Sequence, residues 1–345
     1  MICVAGMMVV IVLSRLRVAA NAVQRITKKW FALLEICCRM ESVLRLNLFL
    51  LTTCLILSLG SGDRLSAQAA SSPALAKPLQ DVYLYWRKAM TMRNFNAWKQ
   101  ITASHRKTAI QNRVLSTKGV WPTDIFKLPT APPSLSGLKL LKARSLGVTA
   151  KLVYFGKVDF GIGGNPTDNI LVLSFVHEGR GWKYDTAEFV NLSNLLGVRK
   201  QIQGGDLSYV DGVAFLPDGK RPSQPIVVKR AKYIAKVYAF CPGRDVRVSV
   251  NRISKHRFQD IQHSEVVVGG AGDGRNEIFY AIKDVPGYKG KDPLTIRVYL
   301  FSQINGVKPV KVFQYQVEKG EVPHAKGSSF FNVDAAVARK VLLGK

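Results

Sequence analysis

A chain of 345 residues in which 47% are apolar and 21% charged is too apolar to be disordered and long enough to bury two cores. Its charge is the outlier, with 50 Lys and Arg against 23 Asp and Glu, a formal net charge of +27. The excess is spread along the chain with no dense basic tail, which argues against a dedicated nucleic-acid arm and leaves a general attraction to anionic polymers.

The first seventy residues hold two apolar stretches, Met1 to Leu13 and Leu46 to Gly60. The second is preceded by Arg39 and Arg45 and followed by Ala67-Gln68-Ala69. A basic start, a compact apolar run and small residues at the end make a signal peptide over 40–69, starting at Met40 and cleaved after Ala69. Residues 1–39 then read as an over-long start. The apolar run falls short of the roughly 20 residues that span a bilayer, so the mature chain has no spanning segment, with an uncleaved anchor as the alternative. The expectation is an exported protein: periplasmic, cell-surface or secreted. Of the cysteines at 3, 37, 38, 54 and 241, only Cys241 would survive processing. That leaves no intrachain disulfide and no zinc spacing. Cys241 closes an apolar strand and reads as a buried structural thiol.

Residues 70–196 form the first predicted domain. Ser71 to Pro78 reads as a linker. Leu79, Val82, Tyr83, Trp86, Ala89 and Met90 then recur at helical steps. Asn96 and Ser104 are placed to cap a second and a third helix. Four prolines between Trp121 and Pro133 imply a wrapping loop. Strands are expected at 138–146, 148–160, 169–177 and 182–190, the last two joined at Gly179-Arg180. Strict alternation along the last puts Trp182, Tyr184, Thr186, Glu188 and Val190 on one face, and Lys183, Asp185, Ala187 and Phe189 on the other. Helices followed by an antiparallel meander make an α+β unit.

The amphipathic helix, the turn Arg93-Asn94-Phe95-Asn96-Ala97-Trp98 and the ending Gly181-Trp182-Lys183-Tyr184-Asp185 resemble the nuclear transport factor 2-like (cystatin-like cone) superfamily over about residues 78–192. The resemblance implies a cone with a pocket between its long helix and curved sheet, so Tyr83, Trp86, Trp182 and Tyr184 become core or pocket residues. Some members are isomerases, dehydratases or cyclases using a pocket Asp or His, and many secreted ones have no known activity. An enzyme of this kind needs a carboxylate or imidazole in an apolar pocket with a donor for the developing oxyanion. The candidates are Asp159, His177, Asp185 and Glu188. His177 falls at a hairpin end, and no spacing forces an Asp–His pair together.

Residues 197–345 form the second predicted domain, with 197–205 as linker. Strands are expected at about 209–215, 225–229, 232–241, 244–253, 263–268, 276–283, 293–301 and 310–318, and a short helix closes the chain. Short alternating strands separated by Gly, Pro, Asn and Asp predict an antiparallel β-sandwich of immunoglobulin-like architecture. The glycine-rich stretch 270–277 lacks the register of a calcium loop or a phosphate loop, so no metal or cofactor is expected. Arg244, Arg247, Arg252, Lys255 and Arg257 are the densest basic cluster, joined by Lys229, Arg230, Lys232 and Lys236, with Tyr299 nearby. Such charges blunt an exposed strand edge or make a binding patch.

The function expected is a non-enzymatic, exported binding or envelope-structural protein. Its basic surface would meet an anionic polymer (glycan or envelope phosphate) or a protein partner. A small-molecule enzyme is the first alternative. Nucleic-acid binding is the second, disfavoured by the export signal.

Overall fold

The structure is a computed structural model that describes residues 70–71, 73–158 and 166–345. The predicted signal peptide, the start region and Asp159 lie outside the described residues. Among the described residues the protein is α+β, with one five-stranded and two four-stranded antiparallel sheets.

The described residues open with a two-residue strand β1 (Ala70–Ser71), then helices α1 (Pro73–Thr91), α2 (Phe95–Ile101) and α3 (Ser104–Ser116). The expected linker is thus the first turns of α1. Pro73 opens the helix, where its missing N–H costs nothing. Pro78 sits on the solvent side while Ala76 and Leu79 face the core. Asn94, not Asn96, caps α2 by accepting from the Ala97 N–H at 3.0 Å. Ser104 is the first residue of α3 rather than its cap. Its N–H and Oγ both donate to the Glu178 carboxylate, at 2.9 and 2.8 Å.

Strands β2 (Lys139–Leu146), β3 (Thr149–Val158), β4 (Thr167–Glu178) and β5 (Gly181–Asn191) complete the first sheet in sequence order. The β4–β5 turn is the pair Gly179-Arg180, with φ +57° at Gly179, a value that glycine adopts without strain. Leu171, Leu173 and Phe175 point to the helices, where they meet Leu79, Tyr83, Leu152 and Tyr154. The alternation expected along β5 fails at one residue. Ser174 pairs with Thr186 and Phe175 with Tyr184, so Asp185 is an unpaired bulge. The bulge shifts the parity: Trp182, Tyr184, Ala187 and Phe189 all pack on the helix side, and Val190 on the back.

The back of this sheet is covered too. Helix α4 (Leu196–Gln203) and 3-10 turns Ser208–Asp211 and Val213–Phe215 occupy the stretch expected to be linker and strand. Ile202, Val210 and Phe215 bury against Val153, Ile170, Val172 and Val190. Arg144, buried, donates to the Val210 carbonyl at 3.0 Å and pairs with Asp211, fastening this layer to β2.

The remaining strands are β6 (Ile234–Phe240), β7 (Arg244–Val250), β8 (Ser254–Gln259), β9 (Gln262–Val266), β10 (Gly274–Asp284), β11 (Leu294–Phe301), β12 (Val310–Val317) and β13 (Lys326–Val333), followed by helix α5 (Ala335–Leu343). One sheet runs β13-β10-β7-β8 and the other β12-β11-β6-β9. Their inward residues form a single core that includes Val237, Val246, Val248, Phe258, Ile278, Ile296, Val298 and Phe331. The stretch expected as one strand over 244–253 is β7 plus a turn at Asn251 and Arg252, both at positive φ. Residues 225–229, expected as a strand, belong to no strand.

Helix α3 joins the two parts. The buried Asn112 amide donates to the Ile226 carbonyl at 2.7 Å and accepts from the Val228 N–H at 3.1 Å. Ser116 Oγ accepts from the Gly269 N–H at 2.8 Å, and the Leu115 carbonyl accepts from the Ala231 N–H at 3.1 Å. No helix among the described residues is long and apolar enough to cross a membrane.

Candidate functional site

The helix side of the first sheet is filled by its own side chains. Tyr83 is fully buried and Tyr184 nearly so. Trp86 lies over Tyr184 with ring centroids 4.0 Å apart. Burial holds both tyrosine hydroxyls well above their usual titration range. The proline-rich loop, which contains one 3-10 turn at Thr123–Phe126, closes over α1. Tyr83 Oη donates to the Pro133 carbonyl at 2.7 Å and Arg87 Nε to that of Pro132 at 2.8 Å. Leu135 and Leu138 follow into the core.

The acid–base candidates do not converge there. His177 is half-buried at the end of β4, with its ring against Trp182 at 5.1 Å. Glu188 is exposed. Contrary to expectation, an Asp–His pair does form: the bulge brings Asp185 Oδ1 to 2.9 Å from His105 Nε2, both side chains mostly buried. It joins α3 to the edge of the sheet, beside the backbone bond from Ala103 N–H to the Tyr184 carbonyl.

A second constellation was not visible in the sequence. Ser254 Oγ lies 2.8 Å from His256 Nε2, and His256 Nδ1 lies 2.8 Å from Glu265 Oε2. The order is that of a hydrolase triad. However, Ser254 is 1% exposed and its Oγ already accepts from the Val268 N–H at 2.8 Å. No substrate carbonyl can reach it, so the relay serves as a structural clasp. Cys241 is buried, and its Sγ donates to the Ile261 carbonyl at 3.3 Å. Burial pushes its thiol up to about 11, far from a reactive thiolate. No group of three His, Cys, Asp or Glu among the described residues is placed to hold a metal.

The basic cluster divides. Arg244 does not belong to a surface patch. It is 2% exposed, donates to the Asp292 carbonyl at 2.7 Å and lies over the Tyr288 ring. Tyr299 lies on β11, on the outer face of the other sheet, opposite Lys236 and Lys311. Arg230, Lys232 and Lys236 do not join either. Arg230 binds the carbonyls of Lys118 and Gly119, Lys232 pairs with Asp273, and Lys236 covers the Phe301 ring.

Arg247, Lys255 and Arg257 share the outer face of the β13-β10-β7-β8 sheet, and Arg252 stands at its turn. Antiparallel register builds this face in rows. Lys326, Ala281, Arg247 and Arg257 form one; Ser328, Phe279, Ser249 and Lys255 form the next. Glu277 lies opposite Phe330 in a third, and Lys283 and Asp245 border the first. Arg257 is held bidentate by Asp245 at 2.9 and 2.8 Å, and Arg252 by Glu277 at 2.8 and 3.2 Å. These bonds push both guanidinium groups further up and the Glu277 carboxyl down. Arg275 stacks on Phe330 at 3.2 Å. Arg247 touches Asp245 only at 3.9 Å and is 65% exposed. Lys255, Lys283 and Lys326 are exposed and make no ion pair among the described residues.

Phe279 and Phe330 stand out of this face, 43% and 46% exposed. A shallow depression of about 340 Å³ lies between Arg247, Ser249, Lys255, Arg257 and Phe279, and another of about 320 Å³ between Ser249, Arg252, Glu277 and Phe279. Sequence reading missed Phe279, Phe330, Arg275, Lys283 and Lys326 as members of the patch. Only the pairing of β10 with β7 and β13 brings them beside Arg247. No protein-family model, curated protein or solved structure matches this chain.

Proposed function

We propose that this is an exported, non-catalytic binding protein that presents a basic sheet face to anionic polymers of the cell envelope. In this reading the first unit is a nuclear transport factor 2-like cone, plugged by its own aromatics and serving as a support. The second is an immunoglobulin-like sandwich that carries the binding face. Export follows from the signal-like sequence over 40–69.

The observation that carries the proposal is the outer face of the β13-β10-β7-β8 sheet. There Arg247 meets a carboxylate only at 3.9 Å, and Lys255, Lys283 and Lys326 make no ion pair among the described residues. Exposed like charges held on a rigid sheet repel one another and raise the local concentration of a polyanion. Solvent screening makes each contact weak, so affinity has to come from several contacts along a repeating chain. The test is binding of the purified protein to acidic oligosaccharides, titrated with salt. Arg247→Ala with Lys255→Ala should weaken binding at low salt by about tenfold and flatten its salt dependence. Unchanged binding and slope in that double variant would remove the face from consideration.

A further inference from the structure

Phe279 is the unusual residue on this face. Register places it between Ser249 of β7 and Ser328 of β13, with Ala281 next to it on β10. Its cross-strand neighbours and Ala281 are therefore small, and the ring is left 43% exposed. Strands lie about 4.8 Å apart and same-face residues about 6.8 Å apart along a strand. Arg247 and Lys326, which flank Ala281, and Lys255, two strands from Phe279, therefore start within about 10 Å of the ring. On the opposite side Glu277 lines the second depression beside the same ring. An apolar ring at the centre of a charged, solvent-facing sheet does nothing for the core, and covering it would be favourable.

We infer that Phe279 is a stacking platform for a sugar ring, so that the face takes acidic polysaccharide in preference to polyanions without rings. This rests on the polyanion reading given above and narrows it to a ligand class. A pyranose laid on Phe279 buries its apolar C–H face against the ring. A carboxylate or sulfate on the sugar turns toward Arg247 and Lys255, and its hydroxyls turn toward Ser249, Ser328 and the Glu277 carboxylate. Glu277, already paired with Arg252, still offers acceptor lone pairs that sugar hydroxyls can use and that a phosphate backbone, which carries no donors, cannot.

The experiment compares three probes of equal charge on the full protein: a uronic-acid oligomer, inorganic polyphosphate and a single-stranded oligonucleotide. The variants are Phe279→Ser, Phe279→Tyr and the Arg247→Ala, Lys255→Ala pair, each checked for an unchanged melting temperature. The wild type should hold the uronate about tenfold more tightly than polyphosphate. Phe279→Ser should abolish that preference and Phe279→Tyr should keep it. A preference untouched by Phe279→Ser, with the Arg/Lys pair still weakening both ligands, overturns the platform and leaves the basic face standing. If no variant affects any probe, both the platform and the face fail. Tighter, Phe279-dependent binding of the oligonucleotide would assign the ring to a base and overturn the glycan assignment.

Discussion

Arg244 and Arg247 stand three positions apart on one strand and meet opposite ends. The odd spacing puts them on opposite faces, so Arg247 projects into solvent while Arg244 is drawn to Asp292 and Tyr288 from another loop. Parity was readable in the sequence, but the residues that accept Arg244 were not, since they lie 44 and 48 positions away. Asp211 shows a long-range pairing of the same kind. Hydrogen bonds from Arg144 and Lys142 hold its carboxyl below the usual carboxylate range. A depressed folded value stabilises the protein above the unfolded pKa, about 3.9, and the gain is lost as pH falls through the folded value. Half exposure screens the effect, so it is modest. Urea unfolding followed from pH 5 to pH 3 should show a shallower acid loss in Asp211→Asn than in the wild type. Equal slopes would mean that Asp211 titrates alike in the folded and unfolded chain.

Strands with an apolar inner face were legible because alternation reports burial on one side. β7 follows it residue by residue, and β6 and β11 follow it after their first one or two residues. β8 and β13 were missed because their inward positions include Ser254, His256, Gly327 and Ser329, polar or small residues that leave no apolar stripe. Gly327 is required there: a Cβ would lie 2.3 Å from the Tyr280 ring. The stretch 209–215 has the apolar content of a strand, yet its 3-10 turns bury Val210 and Phe215 and leave Val213 86% exposed. The bulge at Asp185 is the element on which the first sheet turns. Deleting Asp185 would remove the bulge and leave Tyr184 opposite Phe175 and Trp182 opposite His177, still on the helix side. What deletion takes away is the pair with His105, the same contact that Asp185→Ala removes. Each variant should therefore cost about 1–2 kcal/mol. Thermal melts of the two variants test this, and a far larger loss on deletion would show that the spacing of the strand, and not the contact with His105, is what matters.

At the scale of the molecule the sequence predicted an α+β part followed by a β-sandwich part, and the seam between the halves was invisible in it. It depends on Asn112 and Ser116, polar residues on an ordinary-looking helix, reading the backbone of 226–228 and of Gly269. Asn112→Ala leaves the buried Val228 N–H and the partly buried Ile226 carbonyl without their partner, a cost of about 1–3 kcal/mol. In Asn112→Ala with Ser116→Ala the halves should uncouple, and calorimetry should resolve two transitions where the wild type shows one. A single transition in the double variant would place the coupling elsewhere. The latch over α1 bears on access to the interior. Tyr83 and Arg87 grip the carbonyls of Pro133 and Pro132, and Leu135 and Leu138 are drawn in behind them. Two such bonds resist opening by about 2 kcal/mol and the apolar anchors add to it, so the unlatched form makes up no more than a few per cent of molecules. Any solute that reaches the rings of Tyr83 and Trp86 has to wait for the proline segment to lift, and its apparent affinity there is lowered by the small fraction of molecules that are open.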